Sequence, residues 1–296
     1  MENHSSSTGS ALRSAISDHP RLFEENKYVY PVVSRRSKGI SVGINLNPDK
    51  ICNFDCIYCQ VDRTTPPVLR NVEPEIIERE LRSLLGQIRS GALFEHPRFQ
   101  EIPDVLKRTN DIAFSGDGEP TTYPAFREVV ERVAAVKREF GLDNVKLNVI
   151  TNATRFHREG VMDALEILQQ NNGEIWAKLD AGSEGYYNQV ERTRVPFDLV
   201  VSNIKRAAAV WPLVIQTLFM RIHGEAPPES EILAYCEVLN SVLSAGGTLK
   251  LIQIYTVARD PAESYVSSLT NEEVDTIADL ARRQLPDIPL EVYYGS

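Results

Sequence analysis

Three cysteines fall within one short stretch, Asn47-Pro-Asp-Lys-Ile-Cys52-Asn-Phe-Asp-Cys56-Ile-Tyr-Cys59-Gln60, and the fourth, Cys236, stands far away. Three thiolates in a Cys-x3-Cys-x2-Cys loop can converge on one small inorganic group. A structural zinc site takes four closed ligands, and the local sequence supplies no fourth Cys or His. A disulfide would pair two of the three and strand the third. An iron–sulfur cluster fits better, because thiolates are its usual ligands and three of them on a [4Fe–4S] cube leave one iron open to a substrate or cofactor. Cys236 shares an apolar helical stripe with Ile232, Leu239 and Leu243 and reads as a core residue. A different class of reading is a non-catalytic metal or redox-sensing module in which Cys236 is the fourth ligand.

A second pattern is Phe114-Ser-Gly116-Asp117-Gly118-Glu119-Pro120-Thr121. It lacks the third glycine of a dinucleotide fingerprint, and by itself it reads as a tight turn between a strand and a helix. Further polar residues sit where later strands are expected to end: Thr151 and Asn152, Asp180 followed by Gly182 and Ser183, and Gln253 and Tyr255. Arg192, Arg194 and His223 lie shortly beyond such ends. Asn, Asp and Ser also cap helices and form turns, and a lone His is by default structural.

The elements that must position these residues alternate along the chain. Strands are expected at Ser41–Asn47, Asp111–Ser115, Val145–Thr151, Glu174–Asp180, Leu213–Met220 and Leu249–Thr256, with a terminal one at Ile288–Tyr293. Between them, helical stripes run through Ile77, Leu81, Leu84 and Ile88, then Phe126, Val129, Val133 and Val136, then Val161, Leu165 and Leu168. Val200, Ile204 and Ala207 form another, and Thr270-Asn-Glu-Glu273 reads as a capping box opening a helix with Val274, Ile277 and Ala281. About six β/α units imply a parallel sheet with outer helices, either doubly wound or barrel-like. Ligands in such folds bind at the carboxyl ends of the strands, and both motifs follow a strand directly.

Composition bounds the function. Of 296 residues, 41 are acidic and 32 basic, a net charge of −9 that opposes broad attraction to nucleic acid or anionic lipid. Four cysteines are too few for a disulfide scaffold of this size. The apolar run around Ala207–Ile215 is broken by Pro212, so no membrane span is expected. The serine-rich start has no hydrophobic core of a signal peptide, and residues 1–26 read as a flexible leader before a single domain of residues 27–296. A cytoplasmic location is expected.

The run Cys52-x3-Cys56-x-Tyr58-Cys59 resembles the signature of the radical S-adenosylmethionine (SAM) superfamily, and Gly116-Asp117-Gly118-Glu119-Pro120 is similar to its Gly-Gly-Glu-Pro motif, with Asp117 replacing a glycine. The resemblance implies a partial (β/α)6 TIM-like barrel in an α/β class. It also implies one [4Fe–4S] cluster on Cys52, Cys56 and Cys59, and an oxidoreductase-type enzyme that cleaves SAM to methionine and a 5′-deoxyadenosyl radical. Gly116, Asp117, Gly118 and Glu119 would hold the SAM ammonium. Tyr58, Thr151, Asn152, Asp180 and Ser183 would lie along the cofactor, and Arg192 would pair with its carboxylate. A flavodoxin- or ferredoxin-like electron donor is implied as partner.

A narrower resemblance rests on Tyr30-Pro-Val-Val-Ser34-Arg35-Arg36 and Cys52-Asn-Phe-Asp-Cys56-Ile-Tyr-Cys59-Gln60. These are similar to stand-alone radical SAM proteins grouped with the wyosine-forming tRNA enzymes (4-demethylwyosine synthase). Two departures favour a small-molecule substrate over tRNA. The chain has no second group of cysteines for a further cluster, and its net charge is acidic, with Arg35, Arg36 and Lys38 its compact basic group near the motif.

Overall fold

The computed structural model describes residues 21–34 and 39–295. Arg35, Arg36 and Lys38 lie outside the described residues, as does the leader up to residue 20. The described chain divides into two compact units. One gathers the residues up to Ile51, Pro67–Val149 and Asp163–Gly173; the other gathers Cys52–Pro66, Ile150–Met162 and the chain from Glu174 onward.

In the first unit, β1 (Val29–Ser34) pairs antiparallel with β2 (Gly39–Ile44). Parallel pairing then joins β2 to β3 (Thr109–Phe114) and β3 to β4 (Lys146–Thr151). Strand β1 carries Pro31, which an edge strand tolerates because only one side of it is paired. Helices α1 (Pro74–Ser90) and α2 (Phe126–Glu139) bury the expected stripes, Ile77, Leu81, Leu84 and Ile88 on one and Phe126, Val129, Val133 and Val136 on the other. Gly91 ends α1 at φ 89°, the left-handed cap that a residue without Cβ adopts freely. Glu80, buried on α1, accepts the backbone N–H groups of Lys27, Tyr28 and Val29 at 2.8, 2.9 and 3.1 Å, which pins the entry to β1. Within the expected leader, Phe23 is buried against the rings of His96 and Phe99.

Helix α3 (Glu159–Gln169) connects β4 to the strands of the second unit. In chain order these are β5 (Gly173–Lys178), β6 (Leu213–Leu218), β7 (Arg221–Ile222), β8 (Leu249–Tyr255), β9 (Val266–Ser267) and β10 (Leu290–Tyr293). Strands β5, β6, β8 and β10 lie parallel in that order, and β7 pairs antiparallel with β9. The connections are α4 (Glu184–Glu191), α5 (Phe197–Ala208), α6 (Glu229–Ser244) and α7 (Asn271–Gln284). Helix α7 opens with the expected capping box, Thr270 and Glu273 each bonding the other's backbone N–H. On α6 the buried residues are Glu231, Ile232, Tyr235, Cys236, Leu239 and Val242, with Leu243 half-buried. Within each unit the parallel strands follow chain order without the reversal of a doubly wound sheet. Lys178, Gln216 and Gln253 stand in register on neighbouring strands, and Gln216 donates to Gln253 at 2.9 Å, so this row of the sheet is polar inside.

Candidate active site

Residues 52–60 have no regular secondary structure, and hydrogen bonds at alternate positions hold them in the second unit. Asn53 donates through Nδ2 to Thr154 Oγ1 at 2.7 Å and accepts from Asn152 Nδ2 at 2.9 Å. Its carbonyl takes the Thr193 hydroxyl at 2.7 Å. The Asp55 and Ile57 N–H groups donate to the carbonyls of Glu191 and Val190 at 3.0 and 2.9 Å, and the Glu263 N–H reaches the Ile57 carbonyl at 3.3 Å. Positions 53, 55 and 57 thus fasten the loop, while Cys52, Cys56 and Cys59 are half-buried and outside any disulfide.

Each thiol has its own surroundings. Cys56 donates to Glu191 Oε2 at 2.6 Å, Cys59 accepts from Arg63 Nη2 at 3.6 Å, and Cys52 lies beside Asn53 Oδ1 at 3.9 Å. Burial, then the Glu191 carboxyl, pushes the Cys56 thiol well above the ordinary thiol range. Burial and the neighbouring Asp180 hold the Glu191 carboxyl well above the usual carboxylate range.

Behind the loop, Tyr58 donates to Asp180 Oδ2 at 2.5 Å. Asp180 also accepts the Leu218 N–H at 2.7 Å and pairs with Lys178 Nζ at 3.0 Å. Lys178 donates to Tyr255 Oη at 3.0 Å, and its ammonium lies 5.0 Å from the Tyr58 ring centre. Burial alone would favour the neutral amine, but Asp180, Tyr255 and Glu191 outweigh it and keep the ammonium charged. Tyr58 itself packs into an apolar cluster with Ile57, Val190, Leu218, Met220 and Ile222.

The other strand-end residues expected along a cofactor are engaged by their own chain. Thr151 Oγ1 accepts the Ala153 N–H at 3.1 Å, and Asn152 Oδ1 accepts from Thr154 Oγ1 at 2.8 Å. Ser183 caps α4, accepting the Tyr186 N–H, and donates to Glu231 Oε2 at 2.5 Å. Arg192 bonds Asp55 and Glu263. His223, at φ 53°, stacks on Tyr265 with ring centres 4.6 Å apart. Sequence reasoning does not single out Lys178 or Glu191. A charged residue in the otherwise apolar run Ile175–Leu179 is a readable signal for the first; nothing local marks the second.

In the first unit, the Gly116–Glu119 segment packs tightly on the residues that leave β2. A Cβ on Gly116 would lie 2.2 Å from Asn45 Oδ1, and one on Gly118 2.2 Å from the Ile51 carbonyl, so both positions exclude any side chain. Asp117 is held by Asn45 Nδ2 at 2.7 Å and by Arg21 at 3.6 Å, and its own N–H donates to Asn45 Oδ1 at 3.1 Å. Glu119 is buried and accepts from Thr121 N and Oγ1 at 3.0 and 2.5 Å. This loop therefore offers ligands mainly through its backbone.

More than half of the chain, residues 46–230, matches the family model of the radical SAM superfamily. The chain belongs to that superfamily. The radical SAM superfamily is a class of enzymes, and membership implies a [4Fe–4S] cluster and SAM. It is 30% identical over 245 residues to the UPF0026 protein of Methanocaldococcus jannaschii, covering 80% of this chain and 65% of that protein. The chain spans less than two thirds of the length of the curated relatives it matches. Its fold is similar to TYW1 with a lysine-pyruvate adduct bound, with a TM-score of 0.56 and 16% identity, covering 93% of this chain and 81% of that one. It is also similar to Streptococcus suis SuiB bound to S-adenosylmethionine, with a TM-score of 0.55 and 12% identity over 88% of this chain and 52% of that one. The radical SAM fold is a mostly parallel α/β sheet with outer helices, an open partial TIM-like barrel, as the β/α alternation implies.

The donor set suits a radical SAM cluster. Among the described residues no three His, Cys, Asp or Glu side chains are arranged to hold a single metal ion. A single ion draws every donor to one point, whereas a four-iron cube takes one thiolate at each of three separate corners. Three cysteines on one fastened loop, none in a disulfide, meet that looser demand, and the thiol of Cys236, buried on α6, is raised to about 11 by burial and acts as a core residue. No helix among the described residues is long and apolar enough to cross a membrane.

Proposed function

We propose that this chain is a radical SAM enzyme with a single [4Fe–4S] cluster on Cys52, Cys56 and Cys59, acting on a small substrate. When bound, the cluster supplies one electron for reductive cleavage of SAM to methionine and a 5′-deoxyadenosyl radical that abstracts hydrogen from the substrate. The observation that carries this reading is the fastened loop with three cysteines outside any disulfide, inside the matched family region.

The chain's own residues then have distinct tasks. Gly116–Glu119 takes the SAM ammonium through main-chain carbonyls, with Asp117 and Glu119 shaping the loop by their bonds to Asn45 and Thr121. Thr151, Asn152, Asp180 and Ser183, at the ends of parallel strands, line the nucleoside side, and Tyr58 is set by its bond to Asp180. Cys56 releases its proton and its contact with Glu191 to become a ligand. Residues 27–296 act as one catalytic domain in the cytoplasm, where thiols stay reduced. An electron donor of the flavodoxin or ferredoxin kind serves it. The net charge of −9 supports a small substrate over tRNA.

Anaerobic reconstitution tests the reading. Wild type should bind about four irons per chain and form 5′-deoxyadenosine and methionine after reduction, while Cys56→Ala forms neither. Sustained SAM cleavage by Cys56→Ala would overturn it.

A further inference from the structure

We infer that Arg192 is a positioning residue that clamps the cysteine loop, so that its guanidinium serves the cluster's seat rather than the SAM carboxylate. The inference rests on the reading of residues 52–59 as the cluster loop. Arg192 follows the last residue of α4 and adopts φ 44°, ψ 48°, a left-handed conformation that a non-glycine residue holds only when its surroundings demand it. Those surroundings are the loop. Nε donates to the Asp55 carbonyl at 2.8 Å, Nη2 pairs with the Asp55 carboxylate at 3.1 Å, and Nη1 pairs with the Glu263 carboxylate. All three nitrogens of the fork are therefore committed within the chain, each on or beside the segment between Cys52 and Cys59.

The neighbours of Arg192 continue the same clamp. Val190 and Glu191 accept the Ile57 and Asp55 N–H groups before it, and Thr193 donates to the Asn53 carbonyl after it. Glu263, the second carboxylate on Arg192, uses its own N–H on Ile57. One turn of chain, 190–193, thus meets positions 57, 55 and 53 in turn, running opposite to the loop. The left-handed bend at 192 lets carbonyls on one side of it and a hydroxyl on the other face the same strip of loop. Loss of the guanidinium removes a charged fork of the kind that makes the strongest protein hydrogen bonds.

The test compares wild type with R192A, R192K and T193V. In the iron-free chains, hydrogen exchange at the Asp55 and Ile57 amides should speed up by about tenfold in R192A, the effect of one lost charge-assisted bond. After anaerobic reconstitution, R192A should release iron to a chelator about tenfold faster than wild type, R192K and T193V should fall between, and SAM affinity per loaded cluster should stay within about twofold. Wild-type exchange and iron release in R192A would overturn the inference. So would unchanged iron release with weakened SAM binding, which assigns the guanidinium to the cofactor. If R192A does not fold, R192K and T193V carry the same comparison, because each removes part of the contact and keeps the rest. Absence of iron from wild type defeats the cluster reading itself, while the exchange measurement still reports on the clamp.

Discussion

Glu231 is the residue whose replacement should most clearly expose how the loop after β5 is held. It lies on α6, is 5% exposed, and accepts the Gly182 and Ser183 N–H groups at 2.6 and 3.2 Å and the Ser183 hydroxyl at 2.5 Å. Glu231→Ala orphans the buried Gly182 N–H, while the half-buried Ser183 groups recover part of their bonding from water. Bonds to a charged acceptor contribute about 1.5–3 kcal/mol each and an orphaned buried group costs about 1–3, so the non-additive total is about 3–5 kcal/mol. Unfolding entropy of roughly 2.1 cal/mol/K per residue makes about 0.6 kcal/mol/K for this chain, so the melting temperature should fall by roughly 5–8 °C. Glu231→Gln keeps an oxygen for both N–H groups and an amide for the hydroxyl, and should lose only about 1 kcal/mol. Urea unfolding of the iron-free chains under reductant measures both. A loss below about 1 kcal/mol in Glu231→Ala would refute the reasoning. The functional consequence is a looser approach to Asp180 and to α4, seen as weaker SAM binding in the reconstituted variant.

Three further outcomes follow from the same geometry. Gly118→Ala drives a methyl against the Ile51 carbonyl and Asn47, and should cost about 1–3 kcal/mol and weaken SAM binding; unchanged values for both would show that the loop is not tightly seated. Lys178→Met leaves Asp180 without its cation and should destabilise by about 3–5 kcal/mol, with the Lys178→Met/Asp180→Asn double variant recovering most of it in the same unfolding assay. Cys236 keeps its proton up to about pH 11 in the folded chain, while the unfolded chain releases it near 9.0. Its contribution is therefore full below the unfolded value and lost as pH rises through this window, by about 1.4 kcal/mol per unit. Cys236→Ala should lack that extra alkaline slope when urea midpoints are compared across the window, and identical slopes would contradict the assignment.

Much of the fold is legible in local pattern because burial and periodicity are local properties. Leu81, Leu84 and Ile88 announce a helix face by spacing alone, and Val145–Thr151 announces a strand by its β-branched and apolar content. Strand β1 is less legible because Pro31 argues against an interior strand, and only its place at an edge, paired with β2, makes that proline harmless. The eight-residue α4 has too few turns to display a stripe, and its start is marked only by Ser183. The cysteines and the Gly116–Glu119 turn are legible because their chemistry depends on spacing within one loop.

Arg192 shows where that legibility stops. In sequence it is an arginine beyond a strand, equally suited to a cofactor carboxylate or to solvent. Its partner Asp55 lies 137 residues away, and its partner Glu263 lies 71 residues away. Glu191 and Lys178 are likewise defined by what they meet, the Cys56 thiol 135 residues away and the Tyr255 hydroxyl 77 residues away. The sequence alone determined the chemistry that could occur: three thiols at cluster spacing, a glycine turn after a strand, and enough β/α units to carry them. The tertiary structure decided which polar groups are spent on holding that chemistry in place. Hydrogen-bond partners are chosen by distance in space, and distance in space is what the linear chain does not contain.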